Sequence, residues 1–304
     1  MENFKPGYLE LLEKNTLKKK VQEGIKRLEA CDICPHECGV NRLEGEKGFC
    51  RTGKDMMVAS YSPHFGEERP LVGSRGSGTI FFSYCNLRCV YCQNYDISSG
   101  LYGKKATEND VADMMLELQE MGCHNINFVT PTHVVPQILK SLEIAATEGL
   151  KLPLVYNCGG YESLKTLKLL EGIIDIYMPD FKYTDEKKAK KYSGIDNYPE
   201  TAKRALKEMH RQVGDLVTDE RGVALRGLII RHLVLPEDLA GTEEAMNFIG
   251  EEISSDSFVN VMAQYHPSYK AHDYPELSRR LYMREYEDAL GIAQKYGIIP
   301  SRKF

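Results

Sequence analysis

Seven of the nine cysteines in this chain of 304 residues fall into two groups, at positions 31, 34, 38 and 50 and at positions 85, 89 and 92. Disulfide frameworks occupy short, loop-rich chains with even cysteine counts, so the long chain and the odd count point to metal sites instead. Cys85, Cys89 and Cys92 put three thiols on one short loop. Three thiolates can ligate three irons of a four-iron, four-sulfur (4Fe-4S) cubane and leave the fourth iron without a protein ligand. A zinc site short of one ligand is the competing reading. Cys31, Cys34, Cys38 and Cys50 supply four thiols, enough for a structural zinc or for an auxiliary iron–sulfur cluster. Spacing leaves both open, although the crowding of the first three leans toward iron–sulfur. The surrounding segment, CDICPHECGVNRLEGEKGFCRTG, has too little aliphatic content for a core of its own, so a metal is expected to hold it. Cys123 and Cys158 stand apart and read as reduced, buried thiols.

The elements that must position these groups show in the hydrophobic pattern. Residues 79–84 (TIFFSY) form a short run rich in β-favouring residues directly before Cys85. Thr107 and Asp110 make a variant capping box ahead of Val111, Met114, Met115, Leu118 and Met121 at helical spacing. Further strands are expected at residues 125–130, 153–157, 172–178, 227–234 and 259–264, with helices at 135–149, 163–170, 200–213, 243–253 and 276–296. A helix broken near Asn15 precedes the first cysteines, and the run DEKKAKK at 185–191 reads as a solvated helix face. Six strands alternating with helices indicate a parallel α/β fold, and with 42% hydrophobic residues the chain can bury one large core plus an appendage. Periodicity alone fits a doubly wound sheet as well as a partial barrel. The net charge of −5 gives no support to nucleic-acid binding. No apolar run reaches the roughly 18 residues of a membrane span, and the N-terminus lacks a secretion signal, so a cytoplasmic location without a membrane partner is expected.

The segment SYCNLRCVYCQN, with the aromatic Tyr91 before the third cysteine, resembles the signature of radical S-adenosylmethionine (SAM) enzymes. The resemblance implies that SAM chelates the open iron and that an electron from the reduced cluster breaks a carbon–sulfur bond. The resulting 5′-deoxyadenosyl radical then takes a hydrogen from a substrate. Three more segments are similar to pyruvate formate-lyase activating enzymes: MPDFK at 178–182, IRHLVLPE at 230–237 and QYH at 264–266. They imply SAM-binding roles for Asp180, Lys182, Arg231 and His266, and Asn157 stands at a strand end that can reach ribose or substrate. The resemblance spans about residues 79–270 and implies a partial (β/α)6 barrel over residues 58–304, with residues 1–57 as a helical and cysteine-rich metal-binding segment. GSGTIFFSYCNLRCVYCQNYDIS, VTPTHVVPQIL and YNCGGYESL are similar to one branch, called PflX-type after its likeness to the activases. One departure stands out. The activases carry Gly-Gly-Glu after the second strand to grip the SAM amino group, whereas this chain reads VTPTHVV. Backbone carbonyls near Thr130 and the Thr132 hydroxyl are expected to take the ammonium, and Gly159-Gly160 with Glu162 looks misplaced for that role.

These features lead to a SAM-cleaving oxidoreductase that needs a one-electron reductant such as flavodoxin or ferredoxin. Its substrate, whether protein, peptide or small molecule, is not legible. A glycyl-radical-enzyme activase is one alternative, and a non-catalytic iron–sulfur electron-transfer or binding protein is another.

Overall fold

The strands form where β-branched and aromatic residues are dense, and the computed structural model describes residues 4–298. They are β1 (Met56–His64), β2 (Ser77–Phe82), β3 (Lys104–Ala106), β4 (Ile126–Val129), β5 (Leu154–Cys158), β6 (Ile176–Pro179), β7 (Val217–Thr218), β8 (Ala224–Leu233) and β9 (Phe258–Met262). Six of them run parallel in the order β2-β4-β5-β6-β8-β9. Beyond β2 the sheet continues antiparallel through β1 to β3, and β7 pairs antiparallel with β8. The result is an open, partly closed barrel with helices on its outer face, because parallel strands need long crossovers that pack back onto the sheet.

The expected elements recur with their ends moved by a few residues. Helix Glu108–Glu120 begins with the capping box: Thr107 Oγ1 accepts from Asp110 N at 3.2 Å, and Asp110 Oδ2 accepts from Thr107 N at 2.7 Å. That pair satisfies two amides no helical carbonyl can reach, worth about 1 kcal/mol. Its buried face is Val111, Ala112, Met115 and Leu118, which turns it onto the sheet. Residues 172–175 form a turn before β6, where the Asp175 carboxylate accepts from Gly7 N and Leu154 N. The last helix is shorter than its periodicity suggested, Met283–Lys295. Pro275 starts a 3-10 turn ahead of it, and Leu277 is buried there under the Tyr265 hydroxyl. Strand β1 lacked a readable signal because much of it is exposed and it contains Pro63.

Helices Gly7–Glu13 and Thr16–Lys26 flank Asn15, whose φ of 56° is the left-handed break anticipated there. They cover helix Val135–Thr147, burying Tyr8, Leu17 and Val21 in the main core. Cys31 and Ile33 belong to the same core, so the four-cysteine segment packs against the barrel. Among the described residues no helix is long and apolar enough to cross a membrane.

Candidate active site

Side chains alternate across a strand, and at the C-terminal strand ends the inward ones line a chamber of about 1170 Å³, open mouth included. Its wall gathers Cys85, Cys89, Cys92 and Tyr91 from the loop after β2, Thr130 after β4, Asn157 on β5, Asp180 and Lys182 after β6, and Arg231 on β8. Nine of the eleven residues expected around the cluster and SAM therefore share one cavity. Phe81, Val129, Leu233 and Met262 supply the apolar part of the wall.

Each of the three sulfurs has a protein hydrogen bond. Leu87 N donates to Cys85 Sγ at 3.3 Å, Ser193 Oγ donates to Cys89 Sγ at 3.0 Å, and Cys92 Sγ lies 3.3 Å from Ser98 Oγ. Burial pushes the Cys85 and Cys89 thiols above their ordinary value, so thiolates persist there only beside compensating positive charge. The loop is pinned from far along the chain: Arg88 N and Val90 N donate to Ser193 O and Tyr192 O, and Val90 O accepts from Lys270 N.

Opposite the thiols, Asp180 is held between two cations. Its Oδ1 accepts from Arg231 Nε at 2.7 Å and its Oδ2 from Lys182 Nζ at 2.6 Å, while Arg231 Nη2 donates to Asn157 Oδ1 at 2.7 Å. Burial disfavours charge on all three, but their attraction prevails. Asp180 is held below the usual carboxylate range, and Lys182 and Arg231 above their ordinary values. Arg231 also lies 3.9 Å from Glu67, so its charge is shared between two carboxylates, whereas Lys182 faces Asp180.

Two expected SAM contacts lie elsewhere. Thr132 is fully buried and donates its hydroxyl to Glu162 Oε1 at 2.6 Å, beneath the chamber wall. His266 is exposed, with Nδ1 3.2 Å from Gln93 Nε2. The chain leaves β9 after Met262, Tyr265 turns into the core, and the adjacent His266 is carried to the outside. Thr130 does line the chamber, in a left-handed conformation with φ 58°. That is strained for a β-branched residue, and such strain concentrates at functional turns.

A family model described as the radical SAM superfamily matches residues 79–249. This chain belongs to the radical SAM superfamily. An uncharacterized protein of Methanocaldococcus jannaschii is 36% identical to it over 98% of this chain and 84% of its own length. Among solved structures, a radical SAM methyltransferase from Sphaerobacter thermophilus superposes with a TM-score of 0.53 at 13% identity, covering 74% of this chain and 65% of that one. HydG, a maturase of the FeFe-hydrogenase, gives a TM-score of 0.50 at 15% identity, covering 97% and 66%. The chain spans just under two thirds of each structure's length, and at these identities the likeness is one of fold.

Radical SAM membership implies a 4Fe-4S cluster and SAM, and the three hydrogen-bonded sulfurs around one cavity fit such a cluster. Among the described residues no three His, Cys, Asp or Glu side chains are grouped as for a single metal ion; a cubane spreads its ligands over three irons. Several supporting residues carried no sequence signal. Ser193 ends the helix Glu186–Ser193, whose lysine run disguised its second task. Its hydroxyl also bonds that of Tyr183, whose ring meets Tyr91 edge-on at 6.3 Å. Tyr198 OH donates toward Gly159 O and Asp180 O and accepts from Lys182 N. Gly160 explains its own Gly-Gly pair: at φ 79°, an added Cβ would sit 2.2 Å from Asp180 O. The pair is a close contact between two strand-end loops. Beside it Glu162 is 1% exposed, accepting from Thr132 and from the Tyr156 hydroxyl at 2.9 Å, and burial pushes its carboxyl up to about 7.

Proposed function

We propose that this radical SAM protein cleaves SAM reductively and uses the radical produced to take a hydrogen atom from a substrate at the chamber mouth. The observation that carries the reading is the meeting of three sulfurs with the Asp180, Lys182, Arg231 and Asn157 network in one chamber. When bound, the reduced cluster supplies the electron that breaks the carbon–sulfur bond of SAM. The chain's own part is position and charge. Lys182 and Arg231 offer cationic donors to the SAM carboxylate, with Asp180 fixing both so that little reorganisation is needed. The Thr130 turn presents backbone carbonyls to the ammonium in place of the missing Gly-Gly-Glu. Phe81, Val129, Leu233 and Met262 exclude water from a radical that water-borne side reactions would waste. An iron–sulfur electron carrier needs none of these groups. In this reading the enzyme works in the cytoplasm with a one-electron reductant of the flavodoxin or ferredoxin kind.

Anaerobic reconstitution with iron and sulfide, followed by SAM and dithionite, should yield 5′-deoxyadenosine. The Cys89→Ala protein should yield none. A fully loaded wild-type protein that leaves SAM intact would overturn the proposal.

A further inference from the structure

We propose that Cys31, Cys34, Cys38 and Cys50 hold a second iron–sulfur centre that passes electrons to the radical SAM cluster through His36 and Phe49. The relay rests on the cluster reading above; the second centre itself does not.

The four-cysteine segment is built as a ligand cage. Cys31 N donates to Val40 O, Gly39 N to Cys31 O and Glu37 N to Cys34 O, folding the segment on itself. Cys31, Cys38 and Cys50 lie near enough to Cys34 for their charges to act on it. Cys38 Sγ accepts from Phe49 N at 3.4 Å. Gly48 leaves room for that sulfur, since a Cβ there would lie 2.6 Å from it.

A second observation points to negative charge in the cage. Arg42 is 1% exposed, with Nη1 3.9 Å from Cys31 Sγ. Its other bonds go to neutral carbonyls: Nη1 to His133 O at 2.8 Å, and Nε and Nη2 to Gly53 O at 3.0 and 2.9 Å. Among the described residues no carboxylate pairs with it. A buried guanidinium without a counter-ion is costly, and four thiolates around a metal supply one.

Position then separates iron–sulfur from redox-inert zinc. The His36 and Phe49 rings stack at 3.8 Å. His36 Nε2 lies 2.9 Å from Asn86 O, and the Arg88 guanidinium sits 3.9 Å from the Phe49 ring centre while its Nη2 donates to Phe49 O. Asn86 adjoins Cys85, Arg88 adjoins Cys89, Phe49 adjoins Cys50, and His36 stands between Cys34 and Cys38. Both contacts therefore run between covalent neighbours of the two ligand sets. One electron from a low-potential donor would enter the second centre, cross this contact and reduce the first cluster, returning the second centre to its oxidised state.

The test uses the full chain reconstituted anaerobically. With Cys85, Cys89 and Cys92 all changed to Ala, the protein should keep about four irons per chain and show a paramagnetic signal after dithionite reduction. Zinc, or no metal, in that variant overturns the second centre whatever becomes of SAM cleavage. His36→Leu and Phe49→Leu keep all seven cysteines, and rapid-freeze spectroscopy should show normal iron content with several-fold slower reduction of the SAM-binding cluster. An unchanged rate in both overturns the relay, whereas absence of 5′-deoxyadenosine from doubly loaded wild-type protein counts against the radical SAM reading alone.

Discussion

The two cysteine regions are held in opposite ways. The segment from Cys31 to Cys50 makes its own backbone bonds within a few residues, Cys31 with Val40 and Glu37 with Cys34. The loop from Cys85 to Cys92 relies on partners about a hundred or more residues away, Tyr192, Ser193 and Lys270. A backbone that closes locally can form early, with side-chain contacts such as Arg42 to His133 O then docking it on the barrel. A loop closed from afar exists only once the barrel has formed, because its partners are brought together by the strands. Changes at the SAM-facing loop should therefore register throughout the barrel, and changes at the four-cysteine segment should depend on the centre proposed for it.

The largest effect is expected at Asp180. Asp180→Ala leaves Lys182 and Arg231 buried without their shared carboxylate, a loss of about 3–5 kcal/mol for a broken buried pair, together with weakened SAM binding. Urea unfolding and SAM titration measure the two; a stable variant with normal affinity would mean that the network does not organise the chamber.

Glu162 lies at the seam between the regions, next to Tyr161, whose ring contacts His36 and whose carbonyl accepts from Asn86. Its folded value of about 7 lies above the ordinary 4.5. Its contribution is therefore fully present below pH 4.5 and is lost as pH rises through about 7, an effect of about 3 kcal/mol. Glu162→Gln removes that dependence, so the variant should gain on wild type between acidic and mildly alkaline pH. Parallel stability curves for the two proteins would contradict the burial of a carboxyl there.

At the cage, Arg42→Met should cost about 2 kcal/mol more in metal-loaded protein than in metal-free protein, because only the former holds the anion the guanidinium offsets. Equal losses in calorimetry of the two forms would remove the contrast between the regions. The smallest change is Ser193→Ala, about 1 kcal/mol for one hydrogen bond. Loss of a donor to Cys89 Sγ should also move the SAM-binding cluster to a more negative potential, leaving the cage unaffected.

Much of the architecture was legible because helices and strands write their periods into the chain. The capping box at Thr107 and Asp110, the break at Asn15 and the six parallel strands all follow from neighbours in sequence. Asn157 stood out at a strand end, whereas Asp180, Lys182 and Arg231 were placed by the resemblance of their segments; all four line the chamber, Asp180 and Lys182 from the loop after β6. Thr132 and His266 do not line the chamber: a 3-10 turn takes the first into the core, and the loop after β9 takes the second to the surface.

The sequence by itself determined which thiols stand together, which strands carry the polar groups, and that the site lies at the strand ends, since covalent spacing and periodicity are local. Only the tertiary structure decided that Ser193 reaches Cys89, that Glu162 takes the Thr132 hydroxyl, and that His36 and Phe49 lie against Asn86 and Arg88. Those contacts join residues from about thirty to about a hundred positions apart, and no local preference encodes them. They follow from how the barrel closes and from the need of each buried polar group to find a partner.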